Sequence, residues 1–381
     1  MPPLSRRLLL AFASTAVFSS FAAPGAAQAA TPRLRLGLMG GFAPGQLRAV
    51  ASAGVERTLL EVRWDLAQPA EGRFDQDYLA GIRDEAVAMR AAGLTVSLNT
   101  GLMDAPAWFL AKPGARYKNS AGREYTDLPI PNLVFGIKHR PFVQSYLNGL
   151  FAAIGKDFDL VRVGGGIMGE LSYPYEIAAD GSARYDWWAF DSAAMTHNPV
   201  RNWRPGQPSP NREASRFLTW YLNSLVTSQN WQISSLRRAG YAGDVAVLYP
   251  SYGMRPGDAA AAAAGNLAGG TSPEVNGEIQ RGYDFARQIA GLKDSRAVVY
   301  GTWGDDPRPV SYLAGLARRY GRRMMAENGG GCGVEAICRG VLTAVENGLD
   351  TYWVVRAGDV LGSATTSGAW ERLISTWRSV R

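Results

Sequence analysis

Short apolar, β-branched runs recur along the chain, separated by stretches with helical spacing, and this alternation is what parallel βα units produce. The runs are Leu34-Arg35-Leu36-Gly37-Leu38, Thr58-Leu59-Leu60-Glu61-Val62, Leu94-Thr95-Val96-Ser97-Leu98, Leu160-Val161-Arg162-Val163, Val245-Ala246-Val247-Leu248-Tyr249, Ala297-Val298-Val299-Tyr300, Arg323-Met324-Met325-Ala326 and Thr351-Tyr352-Trp353-Val354-Val355. Eight such runs predict an α/β chain folded as one (β/α)8 barrel over residues 30–381, with an insertion after strand 4 at about 172–212.

The intervening segments carry their own signals. Residues 75–92 repeat apolar positions at helical spacing and stop at Gly93, which suits a left-handed C-terminal position. Asn211 is the expected cap of a long helix through Leu236 that ends near Gly240. The alanine-rich stretch 259–264 has low complexity and reads as loop or frayed helix.

Residues 1–29 stand apart from this pattern. Arg6 and Arg7 precede an apolar run and then the small residues around Ala27-Gln28-Ala29, the layout of a removable export signal rather than a membrane anchor. Ser5-Arg6-Arg7-Leu8-Leu9-Leu10 also fits a twin-arginine export motif, so the expected location is periplasmic or secreted. The formal net charge is +7, and removing Arg6 and Arg7 with the leader leaves +5. That excess is small, and no Lys/Arg run accompanies it, which argues against a nucleic-acid partner.

Only Cys332 and Cys338 are present, a pair that in an exported protein either closes a small disulfide loop or remains as two thiols. With two histidines, His139 and His197, and no Cys/His cluster, neither a zinc site nor any cofactor is expected.

In a (β/α)8 barrel the chemistry lies where the strands end, so the residues after each run are the ones to read. Strand 2 is followed by Arg63, Trp64 and Asp65; strand 3 by Asn99, Asp104 and Trp108; strand 6 by Trp303; strand 7 by Glu327 and Asn328; strand 8 by Arg356. Strand 4 runs into VGGGIMGELSYP, residues 163–174, where three glycines precede Glu170 and Tyr173. Glycine at a strand end marks a bulge or a close approach by backbone or ligand. The expectation is that these glycines let backbone and sugar come close while the strand delivers Glu170 to a cleft.

Glu170 and Glu327 follow strands 4 and 7, which face each other across a barrel mouth. A carboxyl pair so placed suits glycoside cleavage: one protonates the departing oxygen while the other attacks the anomeric carbon or activates water. The expected substrate is therefore an oligosaccharide or polysaccharide, and a barrel that binds carbohydrate without turnover is the competing reading. Leu59, Glu61 and Arg63 alternate onto one face. That places Arg63 either beside Glu327 or in a Glu61–Arg63–Arg162 ion network. Trp64, Trp108, Tyr173, Tyr175, Trp187, Trp188 and Trp303 fall in or near the predicted top loops, where flat rings stack on sugars or simply pack.

At these positions the chain resembles known families. Trp64, Gln68-Pro69-Ala70-Glu71-Gly72-Arg73-Phe74-Asp75 and Pro106-Ala107-Trp108-Phe109-Leu110 are similar to the strand-2 and strand-3 segments of clan A glycoside hydrolases, especially the family 42 β-galactosidases. That resemblance implies Glu170 as acid/base, Glu327 as nucleophile, Tyr300 as the tyrosine that bonds the nucleophile, and retention at the anomeric carbon. Family 42 enzymes carry Asn before the acid/base glutamate, whereas this chain has Gly169. Val163-Gly164, Gly166, Gly169-Glu170-Leu171 and Tyr173-Pro174 are similar instead to the acid segment of the inverting β-amylases, and Ala326-Glu327-Asn328 to their base segment. The flexible β-amylase loop after strand 3 has no counterpart in residues 99–108.

Overall fold

A computed structural model describes residues 33–40, 45–269, 273–329, 333–361 and 368–380. The leader, Cys332 and residue 381 lie outside the described residues.

Eight parallel strands close into a barrel: β1 Arg35–Met39, β2 Arg57–Glu61, β3 Thr95–Asn99, β4 Leu160–Val163, β5 Asp244–Tyr249, β6 Ala297–Gly301, β7 Met324–Glu327 and β8 Thr351–Val354. Each strand pairs with its sequence neighbours, and β1 closes the ring by pairing with β8 from Arg35↔Thr351 to Leu38↔Val354. Every predicted strand is present, with its ends shifted by at most a residue or so. The cause is the same throughout: apolar runs buried on both faces, inside against other strands and outside against helices.

Among the helices are α1 Gln46–Ala53, α2 Gln76–Ala91, α3 Arg140–Ile154, α4 Glu213–Arg238, α5 Pro273–Arg281, α6 Pro307–Arg319, α7 Val334–Glu346 and α8 Ala369–Ser379. The Asp75 carboxylate accepts the Tyr78 N–H to start α2, and Gly93 follows its end at φ 91°. For α4 the expected cap is replaced: Ser209 Oγ accepts the Ala214 N–H, and Glu213 reaches back to the Asn211 N–H. Asn211 supplies its backbone rather than its side chain because Arg212 adopts a left-handed conformation and re-aims the turn. Residues Asp258–Ala264 form a short helix, as alanine propensity favours. The segment after β4 contains a two-stranded hairpin, Glu176–Ile177 against Ala183–Arg184, and the short helix Ser192–His197. Cys338 is buried on α7.

Two layers of core follow. The outer layer fills the space between strands and helices, and Trp377 of α8 ties the ring's two chain ends by donating its indole N–H to the Leu34 carbonyl at 3.3 Å. The inner layer is a smaller cluster of Met39, Leu59, Leu160, Ala246, Leu248, Val298, Tyr300, Met325 and Trp353. It fills the bore below the mouth with packed side chains. Trp353 fits there because Gly37 faces it from β1; a Cβ at Gly37 would overlap the indole ring. Gly37→Ala is therefore expected to overpack the bore and cost about 1–3 kcal/mol, read as a lower midpoint of chemical denaturation.

Candidate active site

Beyond β4 the chain folds back on itself. Gly166 N–H donates to the Glu170 carbonyl at 2.9 Å, the Gly169 N–H to the Gly166 carbonyl at 3.0 Å, and the Leu171 N–H to Leu248 of β5 at 2.9 Å. A Cβ at Gly164 would overlap the Gly169 carbonyl oxygen. Gly164 and Gly166 thus serve close approach of backbone to backbone, and Gly165 makes room for the Leu133 side chain, rather than for a sugar, which corrects the expectation drawn from their spacing. Met168 and Gly169 both take left-handed conformations, φ 55° and 76°, and this double reversal turns Glu170 into the cavity. Met168 pays strain for that course, as non-glycine residues do there.

Glu170 is only 8% exposed. Its Oε1 accepts from Thr302 Oγ1 at 3.1 Å and its Oε2 from the Arg281 guanidinium at 3.2 Å. Burial, opposed by Arg281 and Thr302 and helped by the nearby Glu327 charge, raises its pKa to about 7.

Glu327 ends β7 and is 9% exposed. The Tyr300 hydroxyl donates to its Oε2 at 2.7 Å, and Arg162 of β4 lies 3.3 Å from the same oxygen. Arg162 also lies over the Tyr300 ring at 4.9 Å and 3.1 Å from Met39 Sδ. Burial pushes the Glu327 carboxyl up, while Arg162 and Tyr300 pull it toward the ionised form. Both partners converge on Oε2, and among the described residues none bonds Oε1.

The two glutamates line one cavity of about 420 Å³ at the barrel mouth. Glu61, Asn99, Arg162, Asn328 and Arg356 contribute polar walls; Met39, Met103, Met168, Tyr175 and Trp303 contribute apolar ones. Arg356 enters from a left-handed backbone at φ 56°. Among the described residues no group of three or more His, Cys, Asp and Glu side chains is placed to hold a metal ion.

Of the residues singled out from sequence, Asn99, Glu170, Tyr175, Trp303, Glu327, Asn328 and Arg356 meet in this cavity, and Tyr300 stands behind Glu327. Arg63, Trp64, Asp104, Trp108, Tyr173, Trp187 and Trp188 do not line it. Arg63 is exposed and pairs with Asp65 at 2.6 Å, because β2 ends at Glu61 and the alternation stops before Arg63, which leads into a helical turn. Trp64 is buried against Tyr146 of α3, ring centroids 4.9 Å apart, and its indole N–H bonds Gln68. Trp108 packs edge-on to Trp64 and donates to the Gln68 carbonyl. Asp104 fixes the same corner through its carbonyl, which accepts the Asp65 N–H. Tyr173 stacks on Tyr221 at 3.8 Å and donates its hydroxyl to the Tyr221 carbonyl, so it belongs to the outer core. Trp187 and Trp188 are likewise buried away from the cavity.

Arg281 and Thr302 were not anticipated beside the glutamates, and Arg162 was expected only in an ion network with Glu61 and Arg63. Arg162 was legible, since it shares the inward parity of Leu160 on β4. Arg281 comes from α5, far from any strand end in sequence, and carries no local signal.

No family model matches the chain, and no curated protein matches it. Among solved structures it is similar to the catalytic domain of β-amylase from Paenibacillus polymyxa, at 16% identity over 92% of this chain and 99% of that one, with a TM-score of 0.69. It is also similar to β-galactosidases from the psychrophilic Marinomonas ef1, at 12% identity and a TM-score of 0.58, and from Bacillus circulans sp. alkalophilus, at 12% identity and a TM-score of 0.59. The alignments cover 91% and 92% of this chain but 59% and 56% of those enzymes, so it spans little more than half their length. At such identities the likeness establishes the barrel fold.

A carboxyl raised from 4.5 to about 7 holds its proton more tightly in the folded than in the unfolded state. Its stabilising contribution is full below about pH 4.5 and is lost as pH rises through about 7, a fall of about 3 kcal/mol. Glu170→Gln should abolish that part of the slope. Denaturant unfolding of both proteins at about pH 5 and about pH 8 checks it: wild type should lose more stability across the interval, and equal losses would refute the assignment.

Proposed function

We propose that the chain is an exported glycoside hydrolase that cleaves an oligo- or polysaccharide with Glu170 as proton donor and Glu327 as nucleophile. The observation that carries this reading is the pair of buried carboxyls in one cavity, held by different partners. The donor-side carboxyl titrates near neutrality, as a group that must give and retake a proton requires. Glu327 has a guanidinium and a phenol on one oxygen, which favours the charge that a nucleophile needs and leaves the other oxygen to react.

In the first step the free Glu327 oxygen attacks the anomeric carbon while Glu170 delivers its proton to the leaving oxygen. In the second, Glu170 takes a proton from water, which attacks the glycosyl ester and frees Glu327. Trp303 and Tyr175 offer flat faces for a pyranose ring, and Asn99, Asn328 and Arg356 supply donors for its hydroxyls. The β-galactosidase neighbours support a β-linked substrate and retention.

A second reading has its own support. The β-amylase domain matches along nearly its whole length, and Gly169-Glu170-Leu171 is similar to the β-amylase acid segment, so an inverting hydrolase of α-linked glucan is the alternative. Export rests on the leader alone. Among the described residues no helix is long and apolar enough to cross a membrane.

Glu170→Gln and Glu327→Gln are each expected to lower turnover by about 10²–10⁴-fold or more with the fold intact, as judged by near-UV circular dichroism. Near wild-type activity of both variants on a substrate the wild type cleaves would refute the assignment. The first-formed product anomer, followed by proton NMR, should retain the substrate configuration. Inversion would move the chain to the second reading.

A further inference from the structure

Arg281 is the last residue of α5, yet it is bound into the wall that carries Glu170. Its carbonyl accepts the Tyr173 N–H at 3.0 Å, which pins it to the loop three residues beyond the glutamate. Its guanidinium lies over the rings of Tyr175 at 4.7 Å and Tyr283 at 4.6 Å, so the planar group is held between two aromatic faces. Both members of the ion pair are close to fully buried, with side chains 13% and 10% exposed for Arg281 and Glu170. Among the described residues Arg281 Nε has no hydrogen-bond partner.

Such an arrangement is a poor device for stability alone, because burying an ion pair costs about as much as the pair returns and apolar residues often do as well. Its chemistry is more telling. Arginine can only donate, so Glu170 Oε2, which faces it, is kept free of the proton. Thr302 hydroxyl both donates and accepts, so it can bond Oε1 whether that oxygen is bare or protonated. The transferable proton therefore resides on Oε1.

We propose that Arg281 is the positioning residue that orients Glu170, directs its proton to Oε1 and lets the carboxyl alternate between acid and base. The proposal rests on the reading of Glu170 as proton donor. The other groups facing Glu170 are Glu327 of β7, Arg162 of β4, and the Tyr283 hydroxyl after α5. Arg162 is committed to Glu327 at 3.3 Å, which leaves Arg281 as the cation in direct contact with Glu170.

The test is a carbon-13 NMR titration of protein labelled at the glutamate δ-carboxyl, with the Glu170 signal assigned by its loss in Glu170→Gln. In Arg281→Met the Glu170 midpoint should move upward by about one pH unit or more, the effect of removing an opposite charge at contact distance. Thr302→Val should move it upward by less. The basic limb of the kcat/KM profile should shift in the same direction on any oligosaccharide the wild type cleaves. If Arg281→Met does not fold, Arg281→Gln gives the same comparison. An unchanged Glu170 midpoint in the folded variant would overturn the proposal. The titration needs no substrate, so a chain that cleaves no glycoside but shows the shift would refute the hydrolase reading alone.

Discussion

Keeping two carboxyl groups out of bulk water at the mouth of a barrel is the constraint around which this molecule is arranged. Each carboxyl would revert to its neutral form or be driven back into solvent unless donors met it inside. Tyr300 and Arg162 meet Glu327, while Thr302 and Arg281 meet Glu170. The donors come from β4, β6, α5 and the turn after β6, so their placement needs the closed ring and at least one of its βα connections. Fold and site are in this sense one problem.

The two glutamates differ through this company rather than through burial, which is nearly equal for them. A fixed cation and a phenol on a single oxygen favour charge at Glu327. An arginine on one oxygen and a reversible hydroxyl on the other leave Glu170 able to hold or release a proton. Backbone strain at Met168 accompanies this division of roles, since the reversal that aims Glu170 needs two successive left-handed residues and only one is glycine.

How much of this was legible in the sequence follows from how far each signal reaches. Strands were plain because a barrel buries them on both faces; β7 ends on Glu327, whereas Glu170 lies beyond the end of β4 at Val163, after the glycine run that marked the segment. Alternation failed at Arg63, where β2 had already ended at Glu61. Aromatic residues misled at Trp64, Trp108 and Tyr173, because a ring near a strand end packs under a helix as readily as it lines a cleft. Arg281 was invisible, as its position depends on where a distant helix comes to rest. The glycines at 164–166 were rightly marked as a close approach, but the partner is the loop's own backbone at Gly164 and Gly166 and the Leu133 side chain at Gly165.

The central claim is that Glu327 is the attacking carboxylate of a glycosidase site. Its most direct test is mass spectrometry after incubation with a panel of 2-deoxy-2-fluoro glycosides bearing good leaving groups, which slow the second step and let a glycosyl ester accumulate. The account predicts a glycosyl mass increment on the peptide that contains Glu327, retained in Tyr300→Phe at a lower rate of formation. An adduct on another residue, or substrate turnover with inversion and no adduct, would contradict it.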